Sequence, residues 1–528
     1  MTKRFFRVDY LILSLLLLAI NITVTDDIAA ATSLQTDSKK IEKSANDLDG
    51  NEDSTEGFEE DEESLEGFEE ADDAFADIQI DAELKSASEQ IDSAISFGGF
   101  FREEIAYSHE REEPEYSKMR STLNLNLEVG FSPNWKAKIN ANGYYDYVYQ
   151  YLGRDRFTDE LLDTYESEYE LRDVFIDGKL SNWLFVKIGR QIIAWGESDS
   201  RQITDMANPR DLRELGMVDI EDARIPVAAS KITVAFWGWE TNLVATHEFR
   251  PNKFPAEGSE FDILGPLRTP SIAIEEDEYP KNSAENSEFL VRLFKPFNGG
   301  DFSIIWADVF EDSFYLDFKQ LSLLSFPPIL TVVPRYKRIK VFGAAGNLVS
   351  GAWLYKAEYA RKTGTAQARK DQEEQILQLI AAVQIGAVPN PGIFDENTGV
   401  VKTWNEKNLQ QLMVGTEYSG VDDFTFTLEL SVEQIEDYEV FLQSKEQSGQ
   451  MAFGLTHTIF NDTFNSRLFW IRFADDNGDV IRVNIDYDII DAMNISAGAV
   501  AYEASKEDAA VFPFRNNDRI FAAVKYSF

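Results

Sequence analysis

The chain has 528 residues, 93 Asp+Glu against 50 Lys+Arg, a net charge of −43, three His and no Cys. Without cysteine there is no disulfide framework, thiol nucleophile or Cys-zinc site, and three scattered imidazoles (His109, His247, His457) leave little for metal or acid–base chemistry. The acidity opposes nucleic-acid binding, which needs a basic footprint.

The amino terminus reads as an export signal over residues 1–31. Lys3, Arg4 and Arg7 form a positive start, Leu11 to Ile20 is an apolar run, and Ala29-Ala30-Ala31 offers a cleavage site. Asp26 and Asp27 keep an uncleaved anchor as the alternative. Residues 32–92 follow as an acidic zone, with 13 carboxylates in the 22 residues from Glu52 to Asp73 and a short repeat, Glu56-Gly57-Phe58-Glu59-Glu60 and Glu66-Gly67-Phe68-Glu69-Glu70. Such density repels itself and predicts a disordered periplasmic segment. Two uses fit it: a solvated linker, or a docking thread for a basic periplasmic partner, with Phe58, Phe68 and Phe75 as anchors.

From 93 to the end the pattern has a period of two. Phe424, Phe426, Leu428, Leu430 and Val432 alternate with Thr425, Thr427, Glu429, Ser431 and Glu433, and Leu123 to Val129 and Ile481 to Tyr487 behave alike. About 18 such strands begin near 96, 118, 134, 167, 182, 227, 241, 287, 300, 335, 351, 411, 423, 450, 464, 479, 492 and 518. Many are long enough to cross a bilayer at a tilt. Their connections alternate between short (Ser132-Pro133-Asn134, Gly238-Trp239-Glu240) and long (195–226, 250–286, 363–409). Aromatic residues gather at the short ones: Phe131, Trp135, Trp183, Phe236 and Trp237. Together these predict an all-β chain, a transmembrane antiparallel β-barrel of about 16–18 strands, with short periplasmic turns and longer outer loops. Asp475-Asp476-Asn477-Gly478 is a tight turn on the outer side, a hairpin before it is a calcium loop. At the end, Val524, Tyr526 and Phe528 alternate with Lys525 and Ser527 in a final strand, which resembles the signal that outer-membrane proteins present to the barrel-assembly machinery.

The loop after Gly189 is the most informative. It carries Arg190, Gln191, Glu197, Asp199, Arg201, Asp205, Asn208, Arg210 and Asp211. Asn208 as an N-cap, Pro209 as the first helical residue and Gly216 as a stop predict a short helix over 209–215. Folded into the lumen, this loop constricts a pore with charges of both signs; left outside, it is a surface loop held by exposed salt bridges. Residues 321–334 (LSLLSFPPILTVVP) are unusually apolar: they line a route for an apolar ligand, plug the lumen or extend a strand into lipid. Residues 366–385 read as a helix, a cap on the extracellular mouth or, as the alternative, a mobile gate.

The runs GRQIIAWGESDS (189–200) and DMANPRDLRE (205–214) resemble the signature of a proteobacterial outer-membrane barrel family classed as a domain of unknown function. The resemblance covers about Ser96 to Phe528, and the acidic Gly-Phe repeat is similar to some members. It implies a place in the outer membrane of a Gram-negative bacterium, among outer-membrane lipid and lipopolysaccharide, and work alongside an inner-membrane exporter of the lipid-moving type. The family has no defined activity. No catalytic, cofactor or metal pattern is present in the sequence. The function expected is a channel or export-route barrel passing small polar or hydrophobic solutes, with no cofactor and no metal. The alternatives are a structural or adhesive barrel, or a barrel lipase with a Ser/His pair at the membrane boundary.

Overall fold

In the computed structural model the described residues are 95–528 apart from 111–114, 219–221, 269, 271, 323–328, 371–402, 475–477, 508 and 510. The export signal and the acidic zone expected over 1–92 lie outside them.

The first strands are β1 (Ile95–Ser108), β2 (Glu115–Ser132), β3 (Trp135–Asp146), β4 (Ser167–Ser181) and β5 (Leu184–Gln191). After the segment 192–226 come β6 (Val227–Phe236), β7 (Trp239–Thr246), the short β8 (Ile272–Ile274), β9 (Phe289–Phe297) and β10 (Gly300–Phe310). Next are β11 (Tyr315–Ser322), β12 (Ile329–Arg335), β13 (Arg338–Ser350), β14 (Trp353–Ala368), β15 (Trp404–Val421) and β16 (Phe424–Ile435). The series ends with β17 (Gln447–Ile459), β18 (Phe464–Phe473), β19 (Gly478–Ile490), β20 (Met493–Ala504) and β21 (Arg519–Ser527). All but β8, β11 and β12 belong to one 18-stranded sheet. Each strand of it pairs antiparallel with the next, and the ring closes where β21 pairs with β1, from Phe100↔Ser527 to Ser108↔Arg519. Gly99 and Phe528 finish the seam with two backbone hydrogen bonds of 2.9 and 3.0 Å. Closure leaves no sheet edge, which is what lets strands live in hydrocarbon.

The faces are the reverse of a soluble sandwich. On β16, Leu428 and Leu430 are 41% and 49% exposed while Glu429 and Ser431 are buried at 1% and 7%. On β15 the same holds for exposed Leu412 and Val414 beside buried Gln411. Aromatic residues at the tight turns stand outward: Phe131, Trp183, Phe236 and Trp237 are all exposed. The Trp237-Gly238 turn, with φ of 49° and 71°, is the left-handed pair that a two-residue hairpin needs. Phe473 pairs with Gly478 across the outer turn, as its Asn-Gly chemistry predicts, although 475–477 lie outside the described residues.

The expectations for two outer loops change. Of the apolar 321–334 stretch, 321–322 end β11 and 329–334 belong to β12, which pairs antiparallel with β11 and parallel with β8; 323–328 lie outside the described residues. Leu330, Val332 and Val333 are buried there, so a small sheet separate from the barrel sheet takes up the second half of the run. Residues 366–368, expected to begin a helix, instead continue β14 by pairing with Trp404–Glu406; the rest of that helix lies outside the described residues. The 147–166 connection forms two helices, α1 (Val148–Leu152) and α2 (Asp159–Tyr165), the second capped by Thr158, whose hydroxyl accepts from Leu161 N at 3.2 Å.

Candidate functional site

Segment 192–226 begins where Gly189 breaks the strand geometry. Its φ is 128°, and a Cβ there would meet the Val174 carbonyl oxygen at 2.2 Å, so only glycine fits. Gln191 then anchors the exit: fully buried, it donates through Nε2 to the carbonyls of Ala229 (3.0 Å) and Gly189 (3.2 Å). Asn208 ties the two ends of the segment together. Its side chain accepts from Ile193 N at 2.6 Å and donates to the carbonyls of Ile225 (2.9 Å) and Gln191 (3.3 Å).

Those bonds explain why the expected helix over 209–215 is absent. Asn208 is not free to cap, and the following backbone finds partners in the returning chain instead: Ile225 N donates to Pro209 O and Asp211 N to Ala223 O, both at 2.7 Å. Residues 209–215 form turns and short bridges. Asp205 serves the same fold. It is buried, accepts from Trp195 N at 3.3 Å, and holds Arg224 at 2.8 Å and Arg210 at 3.6 Å. Gly196 completes the turn, because a Cβ would lie 2.7 Å from that of Gln202.

The segment crosses the ring. It leaves from β5, yet its tip bonds to β14 and β16, six and eight places further round a ring of eighteen strands. Two buried wall carboxylates receive it. Glu358 on β14 accepts from the amides of Glu197 (2.7 Å), Ser198 (2.8 Å) and Thr204 (2.7 Å) and from the Thr204 hydroxyl (2.8 Å). Glu429 on β16 accepts from the amides of Asp199 (2.9 Å) and Ser200 (3.0 Å) and from the hydroxyls of Ser198 (2.7 Å) and Ser200 (2.6 Å). Carboxylates surrounded by this many donors are strong, directional anchors. Arg201 adds an ion pair to Glu433 on β16 at 2.7 Å, and Asp199 one to Lys356 on β14 at 3.2 Å. An apolar cluster fills the remaining contact: Ile193, Trp195, Ile203 and Ala207 pack on Val244, Leu290, Ile305 and Met413 of the wall.

The far part of the segment reaches the other wall. Glu214 bonds to Lys118 and, at 2.8 Å, to Arg120, both on β2, and the carbonyl of Leu215 accepts from the Tyr502 hydroxyl on β20. Arg213 holds Asp211 at 2.5 Å and Glu168 on β4 at 2.6 Å. Met217 joins Phe261, Phe514 and Phe521 in a second buried cluster.

The charges in the segment are strongly biased. Burial, with Asp301 close by, pushes the Glu197 carboxyl up to about 7. Burial also pushes Asp199 up to about 6, with Lys356 pulling down against Glu429 and Glu417; the carboxyl still keeps 43% of its surface open to solvent. Burial alone would raise Glu214, but Arg120 and Lys118 hold it far below the usual carboxylate range.

The nine loop residues singled out from sequence therefore separate. Glu197, Asp199 and Arg201 meet the opposite wall; Gln191, Asp205 and Asn208 hold the segment's own shape. Arg210 bridges within it, through Gln202 at 3.2 Å and Asp205, and Asp211 pairs with Arg213. Arg190 stands apart. It shares the outer face of its cross-strand partner Val174 and binds Glu248 at 2.9 Å, away from the lumen. Sequence reasoning passed over Glu358 and Glu429. Their only local signal is a carboxylate on the polar face of an alternating strand, which many lumen-facing residues share. Among the described residues no group of His, Asp and Glu is arranged to hold a metal ion.

A comparison with curated protein sequences finds no match. Among solved structures the chain is similar to Acinetobacter baumannii OccAB1, at 9% identity and a TM-score of 0.49, covering 84% of this chain and 99% of that one. It is similar to the outer membrane protein OpdK of Pseudomonas aeruginosa at 10% identity and a TM-score of 0.43, covering 82% and 98%. A loop-deleted OmpT, an outer membrane protein of Vibrio cholerae, matches at 9% and 0.38, covering 83% and 99%. At those values the likeness bears on neither solute nor mechanism. Residues 115–528 match a family model described as a protein of unknown function, DUF1302, and the chain belongs to that family.

Proposed function

We propose that the protein is a channel in the outer membrane of a Gram-negative cell, either a passive pore or the outer component of an export route, whose lumen the 192–226 segment narrows. The observation that carries this reading is the bonding of one loop, rooted on β5, to Glu358 and Glu429 across the ring. A sheet of eighteen strands is wide enough to enclose an aqueous channel. A loop fixed inside such a channel sets its cross-section and its field. Glu197, Asp199, Arg201, Arg210 and Asp211 supply charges of both signs at that level. In this setting the outward Val524, Tyr526 and Phe528 serve as the assembly signal, and lipid and lipopolysaccharide surround the apolar face. An inner-membrane exporter or a periplasmic protein is the partner proposed for an export role.

The test is planar-bilayer recording of the purified protein and of R210A/D211A. Stepwise conductance whose size or ion selectivity changes in the variant supports the reading. Unchanged values would take the segment out of the conduction path. A second reading, a closed structural barrel, draws on the two buried clusters that the segment forms with opposite walls. It expects no conductance at any voltage.

A further inference from the structure

The outward face of β6 and β7 carries a pair of side chains with no part in the lumen. The Ser230 hydroxyl lies 2.8 Å from His247 Nε2. Ser230 is the fourth residue of β6, whose other end is the Trp237-Gly238 turn, so the pair stands at the long-loop end of the wall. Register fixes its face. Ser230 pairs with Ile188 on β5 and with Ala245 on β7, and Ala245 pairs with Phe289 on β9. Ile188 and Phe289 in that row, and Ile232 and Leu243 on the side of the short turns, are all exposed, as hydrocarbon-facing side chains are. One row further toward the long loops the surface turns polar. There the His247 amide donates to the Ala228 carbonyl at 2.8 Å, Ala228 pairs with Arg190, and Glu248 accepts from the Ala228 amide and from Arg190, both at 2.9 Å. The pair therefore straddles the line where the apolar wall gives way to charge, the level at which the ester bonds of a membrane lipid lie.

Hydroxyl and imidazole are within hydrogen-bond reach, the geometry in which a histidine takes the proton of a serine nucleophile. With its own proton on Nδ1, the imidazole presents Nε2 as the acceptor. His247 is exposed, and the residues paired beside it and Ser230, Ala228 and Ala245, carry only methyl groups, so an acyl ester reaches the hydroxyl from the lipid side. Arg190 stands diagonal to Ser230 in the polar row and supplies positive charge where a carbonyl oxygen becomes negative during attack. Among the described residues no carboxylate bonds to the second imidazole nitrogen, so the pair is a dyad without an orienting third group. Such an orienting group is worth orders of magnitude in rate, and a slow reaction is expected. The sequence made a Ser/His pair at the membrane boundary the requirement for a barrel lipase, and this is where the fold brings one together.

We propose that Ser230 and His247 are the nucleophile and general base of an acyl-ester hydrolase on the lipid-facing surface of the barrel, acting on esters of long-chain acyl groups at the outer interface. Ser230 Oγ attacks the ester carbonyl carbon, and its proton passes to His247 Nε2. Collapse of the tetrahedral adduct breaks the bond to the alcohol oxygen, which leaves with that proton. Water then attacks the Ser230 acyl ester, gives a proton to His247, and the proton returns to Ser230 Oγ as the fatty acid departs. Each turnover consumes one water and releases one alcohol and one fatty acid. The pair lies outside the lumen, so the proposal stands whether or not the barrel conducts.

The experiment uses the full-length protein in mixed micelles, with p-nitrophenyl dodecanoate as the ester and a fluorophosphonate as a trap, its phosphorus bonding to the nucleophilic oxygen as fluoride leaves. Release of p-nitrophenolate and an adduct on the peptide containing Ser230 are expected. S230A should lose both, and H247A should lower both by about a hundredfold or more. Both variants should fold as the wild type does, read from migration before and after heating, because the two side chains face outward and take no part in the backbone ladder. Hydrolysis unchanged in folded S230A, or an adduct of equal extent in folded H247A, would overturn the pair. A wild type that gives neither adduct nor hydrolysis would overturn it as well. Vesicles of phosphatidylethanolamine and dispersions of lipopolysaccharide, assayed for released fatty acid, separate the two sources of ester. Release from either supports the proposal and names the lipid; release from neither, beside cleavage of the synthetic ester, would overturn the lipid class and leave the dyad standing.

Discussion

Thr204 meets Glu358 twice, its amide and its hydroxyl both donating to one carboxylate oxygen at 2.7 and 2.8 Å, although 154 residues separate the two in sequence. The other oxygen takes the amides of Glu197 and Ser198, so a single buried side chain fixes the turn that faces the far wall. Removing it leaves three amides without their acceptor, while the Thr204 hydroxyl keeps the Trp195 carbonyl at 3.2 Å; each stranded buried donor costs about 1–3 kcal/mol. E358A is therefore expected to free the tip of the segment while the barrel, closed by its own backbone ladder, stays folded. Conductance should rise by about twofold or more as the cross-section opens. Protease should cut between 195 and 205 in the variant and not in the wild type. A variant with wild-type conductance and protection would show that the apolar cluster around Trp195 suffices to hold the segment.

Acid should change the field in the lumen. Glu197, pushed up to about 7, and Asp199, pushed up to about 6, both sit above their ordinary values of 4.5 and 3.8. The folded segment therefore binds protons more readily than a released one, and its relative stability is greatest in acid. That advantage is lost as pH rises through the interval from the ordinary values to about 6 and 7. The direction for transport follows from charge: between pH 8 and pH 5 two negative groups near the far wall are neutralised, and cation preference should fall. Reversal potentials under a salt gradient read this directly. E197Q should remove the upper part of the change, and a potential flat over that range would count against the raised proton affinity of both groups.

The strand plan was legible because the membrane imposes it. Starts expected near 167, 227, 300 and 464 coincide with those of β4, β6, β10 and β18, since apolar residues must alternate wherever hydrocarbon lies on one side. The start expected near 411 falls at Trp404 instead. There Asn405, Glu406 and Lys407 pair with Gln367, Ala366 and Thr365 past a register shift, and that polar stretch carries none of the apolar alternation the bilayer imposes. The site was half legible. Loop charges are visible as a local cluster, but their destinations, Glu358 and Glu429, are contacts at sequence separations above 150 that no local pattern encodes. The same lack misled the helix over 209–215: Asn208 has good capping chemistry, and Ile193 and Ile225, reached only through the fold, claim it.

Gly189 gives a sharp test of how the segment is launched. G189A places a methyl group 2.2 Å from the Val174 carbonyl oxygen at a φ of 128°, so β5 must move away from β4 or twist at its end. Strain at such a position costs of order 1–3 kcal/mol, enough to loosen Gln191 without unravelling an eighteen-stranded ring. The expected result is a barrel that assembles yet shows the protease cut between 195 and 205. Loss of the folded barrel altogether would mean that the β4–β5 pairing is itself limiting for assembly.

The outward face of β16 tests the inside-out arrangement on which all the rest depends. Leu430 is exposed and its neighbour Ser431 buried, and Leu430 pairs with outward Val414 on β15 well inside both strands. An arginine at Leu430 must bring a guanidinium into hydrocarbon, at a cost of about 2–4 kcal/mol near the midplane. L430R should therefore fold into lipid vesicles with a clearly lower yield, read as the fraction that migrates as a compact species before heating. S431N, on the opposite face among polar side chains, should fold as the wild type does. If L430R instead folded with the wild-type yield, Leu430 would face water rather than hydrocarbon, and the inside-out arrangement would fail.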